Sequence, residues 1–199
     1  MSSYTVRYFR LSGRAAVIRE ILNYAGANWE NEFVTWPDDK PTTPYGRLPV
    51  LEETTPSGEK VILSESRVIE SYLAKTFNLL PTEPRETAKL EMLVAQMDDS
   101  LNSVIFYSFK SKTEECKKDF EDKLKFLISK HETILASNPA GYYHGSSITY
   151  PDLAMYALYN IIAGLTGSEL LSPENAPHIN KLVKKVGEIP AIATANNFA

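Results

Sequence analysis

The segment Tyr45-Gly46-Arg47-Leu48-Pro49-Val50-Leu51 carries chemistry in its residue types and spacing, and Ser66 stands fifteen residues beyond it at the head of a helical pattern. The apolar run from Leu48 to Glu52 predicts a short strand, with a proline near its start. Proline has no amide hydrogen to give a sheet ladder, so it belongs at a strand's first residue, an edge or a bulge. X-Pro bonds are also the ones that take the cis form at small cost, and a cis bond there turns the preceding N–H and C=O outward. Main chain presented in this way offers a donor and an acceptor to an extended peptide ligand.

The elements that must position this segment follow from periodicity. Residues 4–9 alternate as a strand, with Tyr4, Val6 and Tyr8 on one face. A helix is predicted from about Arg14 to Tyr24, with Ile18, Ile21, Leu22 and Ala25 at helical spacing and Gly26 as its stop. Trp29 to Thr35 reads as a second strand, and residues 36–46 as a long loop. Leu48–Glu52 and Lys60–Leu63 form a hairpin, followed by a helix from Glu65 to Phe77 that buries Val68, Ile69, Tyr72 and Leu73. Beyond Pro81-Thr82-Glu83-Pro84 the pattern is helical throughout, at about 84–110, 114–137, 150–166 and 175–187. The expected domains are an α/β unit at 1–80 and an all-helical unit at 84–199. Thr149-Tyr150-Pro151-Asp152 predicts a capped helix start, with Asp152 reaching back to the cap's own N–H.

Bulk properties exclude several classes. A formal charge of −4 argues against a nucleic-acid or anionic-membrane partner, since phosphate binding needs a basic face. Met1-Ser2-Ser3-Tyr4 leads directly into a strand pattern without an apolar leader, and the apolar stretch Leu153–Leu165, interrupted by Asn160, is too short to span a bilayer. A single cysteine, Cys116, excludes an internal disulfide and suits a reducing cytosol. Asp98-Asp99 lacks a third carboxylate one turn earlier, where Ala95 stands, and His131, His144 and His178 have no ligand spacing. No metal is expected, and the histidines read as surface or interface residues.

Taken in order, Tyr8-Phe9, Gly13-Arg14-Ala15, Trp36-Pro37 with Lys40, Pro44 to Leu51, Glu65-Ser66, Asp98-Asp99 and Ser147 to Asp152 form a series. In these motifs the chain resembles the cytosolic glutathione S-transferases, the sigma class in particular, from Tyr4 nearly to the C-terminus. The resemblance implies a thioredoxin-like N-terminal domain, a helical-bundle C-terminal domain, a cytoplasmic homodimer and glutathione as co-substrate. It implies that Tyr8 donates a hydrogen bond to the glutathione thiolate, assisted by Arg14. A phenol with a pKa of about 10 beside a thiol at about 8.5 acts as a donor rather than a base. Leu48, exposed by Pro49, would pair with the cysteinyl backbone, and Ser66 in the first turn of its helix would take the γ-glutamyl carboxylate. Glu65 and, across the dimer, Asp99 would meet the γ-glutamyl ammonium, while Trp36 and Lys40 would clasp the glycine carboxylate. Glu65 stands where sigma members carry glutamine, and the resemblance assigns no role to Arg47.

The electrophile site is expected between the domains, lined by Phe9, Gly13, Leu101, Val104, Ile105 and Phe106, with Ala154, Met155 and Phe198 as lesser candidates. A thiol–disulfide oxidoreductase would need a cysteine near the end of the first strand, and residues 8–16 contain none. Two alternatives stay open. One is a non-catalytic glutathione-binding or crystallin-like protein. The other is a glutathione-dependent isomerase or peroxidase on the same scaffold.

Overall fold

The alternation of Tyr4, Val6 and Tyr8 with Thr5 and Arg7 becomes strand β1, Ser3–Tyr8, whose Tyr4, Val6 and Tyr8 are buried. In the computed structural model, which describes residues 1–167 and 169–198, β1 lies inside a four-stranded sheet. It pairs in parallel with β2 (Asn28–Phe33) and antiparallel with β3 (Val50–Thr54), and β3 pairs with β4 (Lys60–Ser64). The order is β2-β1-β3-β4, with Tyr8 opposite Phe33 and Arg7 opposite Val50. The central position of β1 fixes Tyr8 at the edge of a hydrogen-bonded ladder, where its backbone has little freedom to move.

A single 3-10 turn, Gly13–Ala15, leads into α1, Ala16–Tyr24, and α2 spans Ser66–Thr76. The chain divides into two compact units: Met1–Leu79 with Ile189–Ala199, and Leu80–Glu188. This corrects the expectation that the helical domain runs to residue 199. The short helix α7, Pro190–Ala193, packs on α1. Asn23 Nδ2 donates to the Ala191 carbonyl (3.0 Å), Asn196 Nδ2 to that of Ala16 (3.3 Å), and Arg10 Nη2 to that of Phe198 (3.2 Å). These long-range polar contacts recruit the tail, and no local pattern announces them.

The second unit is built from α3 (Pro84–Phe109), α4 (Glu114–Ser137), α5 (Tyr150–Thr166) and α6 (Pro177–Gly187). The helix starts follow the capping logic. Glu83 accepts from the Glu86 N–H (2.8 Å), and Thr113 from that of Cys116 (3.2 Å). Thr149 and Asp152 form the reciprocal box read from the sequence. Asp152 also accepts from the Tyr143 N–H (2.9 Å), and burial pushes its carboxyl up to about 6 against those donors. Leu90, Val94, Met97, Leu101 and Val104 form the buried stripe of α3. The result is a thioredoxin-like α/β unit followed by an all-α bundle. No helix of the described residues is long and apolar enough to cross a membrane.

Two readings need correction. Val68 is 56% exposed. The buried face of α2 is Ser66, Ile69, Glu70, Leu73 and Ala74, and Val68 falls on the opposite side. His131 is buried rather than superficial, held between Tyr143 Oη (2.7 Å) and Gln96 Oε1 (2.8 Å). His178 does lie at the surface, half-exposed at the start of α6, where Glu132 accepts from the N–H of both His178 and Ile179 (3.0 and 2.7 Å).

Candidate active site

Tyr8 ends β1 with its ring buried and its hydroxyl accepting a hydrogen bond from the Arg14 N–H at 3.1 Å. Among the described residues its own proton is given to no protein acceptor. Burial raises its pKa, opposed by the Arg14 amide and by the charges of Arg14 and Arg19. The phenol therefore stays protonated at neutral pH, with one lone pair occupied and its O–H available as a donor.

Gly13 makes this approach possible. Its φ is +45°, and a Cβ there would lie 2.7 Å from Tyr8 Oη and 2.7 Å from Leu11 Cδ1. Only glycine combines that backbone conformation with that proximity.

Aromatic contacts carry the site outward from Tyr8. The Tyr8 and Phe9 rings meet edge-on at 5.3 Å, and Phe9 meets Trp36 at 6.0 Å. Trp36 is followed by a cis Pro37, and the Lys40–Thr42 segment of the expected loop forms a 3-10 turn. The methylenes of Lys40 pass over Gly46, where a Cβ would stand 3.1 Å from Lys40 Cε. Lys40 thereby lies beside the turn that precedes Leu48.

The Leu48–Pro49 bond is cis. Pro49 is buried immediately ahead of β3, Leu48 lies outside the ladder, and Leu48 makes no backbone hydrogen bond among the described residues. At the end of β4, Glu65 is exposed with φ +71°, and its side chain does not cap α2. Ser66 follows as the first residue of α2, 8% exposed, and its N–H has no protein acceptor among the described residues. An uncapped helix start with a buried hydroxyl favours an anion.

Tyr8, Arg14, Trp36, Lys40, Leu48, Pro49, Glu65 and Ser66 thus all belong to the α/β unit. Asp99 lies in the helical unit, exposed at a groove of about 280 Å³ lined by Gln96, Asp119, Asp122, Lys123 and Phe126. Of the residues expected to line an electrophile site, Leu101, Val104, Ala154 and Met155 are buried, whereas Phe106 is 52% exposed.

The "Glutathione S-transferase, N-terminal domain" model matches residues 8–84, and the "Glutathione S-transferase, C-terminal domain" model matches residues 96–195. The chain belongs to the glutathione S-transferase family. Hematopoietic prostaglandin D synthase of Gallus gallus is 30% identical over 97% of this chain and 94% of its own. Among solved structures, a Nu-class GST from Haemonchus contortus shares 29% identity at a TM-score of 0.80, covering 98% and 95% of the two chains. A Fasciola hepatica sigma class GST shares 26% at 0.82, covering 94% and 91%. These values lie so close together that overall likeness supports transferase chemistry without separating the classes.

One residue of this transferase was not found from its sequence. Arg19 is 0% exposed, with Nε on Asn31 Oδ1 (2.8 Å), Nη1 on the Leu11 carbonyl (2.7 Å) and Nη2 on that of Phe9 (3.3 Å). The available signal was its flank. Ala15 to Ile18 and Ile21-Leu22 surround Arg19-Glu20 with apolar residues, so α1 is buried almost all round.

Proposed function

We propose that the protein is a sigma-class-like glutathione transferase that stabilises the glutathione thiolate through the Tyr8 hydroxyl for attack on a hydrophobic electrophile. The observation that carries this reading is the Tyr8 hydroxyl, which accepts from the Arg14 N–H at 3.1 Å while its own proton meets no protein acceptor among the described residues. A free thiol near pKa 8.5 is only a few per cent thiolate at pH 7, and a donor aimed at sulfur strengthens as the anion forms.

The other residues suit the rest of the tripeptide. Leu48, ahead of cis Pro49, has main-chain groups to pair with the cysteinyl backbone, and Ser66 offers a hydroxyl and N–H to the γ-glutamyl carboxylate. Glu65, and Asp99 of a second copy in a two-fold dimer, meet the ammonium. Trp36 and Lys40 hold the glycine carboxylate. Tyr45, 71% exposed beside this segment, is the proposed anchor in the partner. The α/β domain at 1–80 binds glutathione, and the helical domain contributes apolar residues such as Phe106 to the second substrate. The setting is cytoplasmic and the role detoxification.

Tyr8→Phe tests the reading. A conjugation assay with an aryl halide is expected to show turnover at least about tenfold lower with glutathione affinity nearly unchanged, because the lost bond acts mainly on the anion. Equal losses of binding and rate contradict it. The likeness to a prostaglandin D synthase over nearly the whole chain supports a second reading, glutathione-dependent isomerisation using the same thiolate. Isomerase turnover exceeding conjugation in one preparation selects that reading.

A further inference from the structure

We infer that Arg19 is a positioning residue for the thiolate chemistry, holding the turn behind Tyr8 and lending the site positive potential, with Phe198 of the C-terminal segment sealing its guanidinium from water. The inference rests on the function proposed above.

Three observations support it. First, the guanidinium lies 5.6 Å from the Tyr8 ring centroid and 4.6 Å from that of Phe198. Phe198 is fixed in turn by edge contact with Phe33 (5.9 Å) and by Arg10 on its carbonyl (3.2 Å). Second, two arms of the fork hold the Phe9 and Leu11 carbonyls, so Arg19 sets the path of the turn between Tyr8 and Gly13. Third, its partners are all neutral: no carboxylate among the described residues pairs with it. Burial lowers its pKa to about 10, and the interaction with Tyr8 raises it.

The charged groups on the surrounding elements are otherwise engaged. Glu32 of β2 binds Arg7, and Glu20 of α1 accepts from Asn196. Arg10 in the turn and Arg14 in the 3-10 helix are cations of the same sign. A buried cation without a counter-charge gains most when an anion forms nearby, and the thiolate beside the Tyr8 hydroxyl is such an anion. Phe198 covers one face of the guanidinium with hydrocarbon. Water admitted there would raise the local dielectric and weaken its field.

The test titrates bound glutathione against pH by its ultraviolet thiolate absorbance in the wild type, Arg19→Met, Arg19→Lys and Phe198→Ala, with kcat and KM for glutathione recorded alongside. Arg19→Met is expected to raise the thiol midpoint by about one unit, the order of one unit charge at an effective dielectric constant of about 20. Arg19→Lys, which keeps the charge, should stay within a few tenths of a unit of wild type. Phe198→Ala should raise the midpoint by about half a unit and make it sensitive to salt, which the sealed wild type is not. Should Arg19→Met fail to fold, Phe198→Ala decides. Wild-type titration in Phe198→Ala at low and high salt, or equal shifts in Met and Lys variants, overturns the inference alone. A wild type that leaves the thiol at its free value overturns the proposed function and this inference with it.

Discussion

Gly13→Ala offers the most direct probe of how Tyr8 is placed. The backbone there has φ +45°, which a non-glycine residue occupies at a cost of about 1 kcal/mol or more. The new Cβ would also stand 2.7 Å from both Tyr8 Oη and Leu11 Cδ1. Reaching ordinary contact requires a displacement of several tenths of an ångström, and overpacking of this kind costs about 1–3 kcal/mol. Together the two terms give roughly 2–4 kcal/mol, which lowers the melting temperature by roughly 5–15 °C in a chain of this size. Leu11 is partly exposed and can swing away, so the displaced group is chiefly the phenol. Moving a donor by a large fraction of an ångström costs roughly tenfold or more in turnover. Melting by circular dichroism and steady-state kinetics read both effects. The Tyr8→Phe, Gly13→Ala double variant adds a control, because it removes the Oη contact and should melt above the sum of the single losses. A Gly13→Ala protein with wild-type melting and wild-type turnover would refute the claim that Gly13 exists to admit the hydroxyl.

Other consequences are measurable. Glu65 holds φ +71° without glycine, so Glu65→Gly should stabilise the fold by about 1 kcal/mol in urea titration while weakening glutathione binding; a lower urea midpoint contradicts the strain argument. Burial depresses His131 to about 4, below its unfolded value of about 6.5, so the unfolded chain binds the extra proton between those pH values. Stability attributable to His131 is therefore complete above about pH 6.5 and declines as pH falls toward 4, by at most about 3 kcal/mol, and His131→Phe should flatten that slope. Tyr45→Ala should shift the sedimentation of the proposed dimer toward monomer and weaken glutathione binding through loss of the partner's Asp99. A wild type that sediments as monomer at micromolar concentration removes both expectations.

Much of the scaffold is legible in short windows of sequence because the forces behind it act over three or four residues. The Thr149–Asp152 box, the proline just inside the start of α5, the alternation of β1 and the stripes of α3 and α4 are local interactions with local signatures. Pro49 at the foot of a strand likewise announced presented main chain, and Leu48 lies outside the ladder. Val68 was misplaced because α2 gives its core face to Glu70, against the apolar pattern. His131 was misplaced because Gln96 and Tyr143, its partners, are remote in sequence.

The amino-acid order alone therefore determined the element types and the switch from α/β to helical pattern near residue 80, and it nominated the residues proposed to meet a thiol-bearing peptide. Tertiary packing decided what surrounds them. It sent residues 189–198 back to the first unit, buried Arg19 against Tyr8, and set the Arg14 amide on the phenol oxygen. The division has a physical cause. Capping and periodicity are energies between neighbours along the chain, whereas desolvation and ring stacking depend on groups that meet only after the chain has folded.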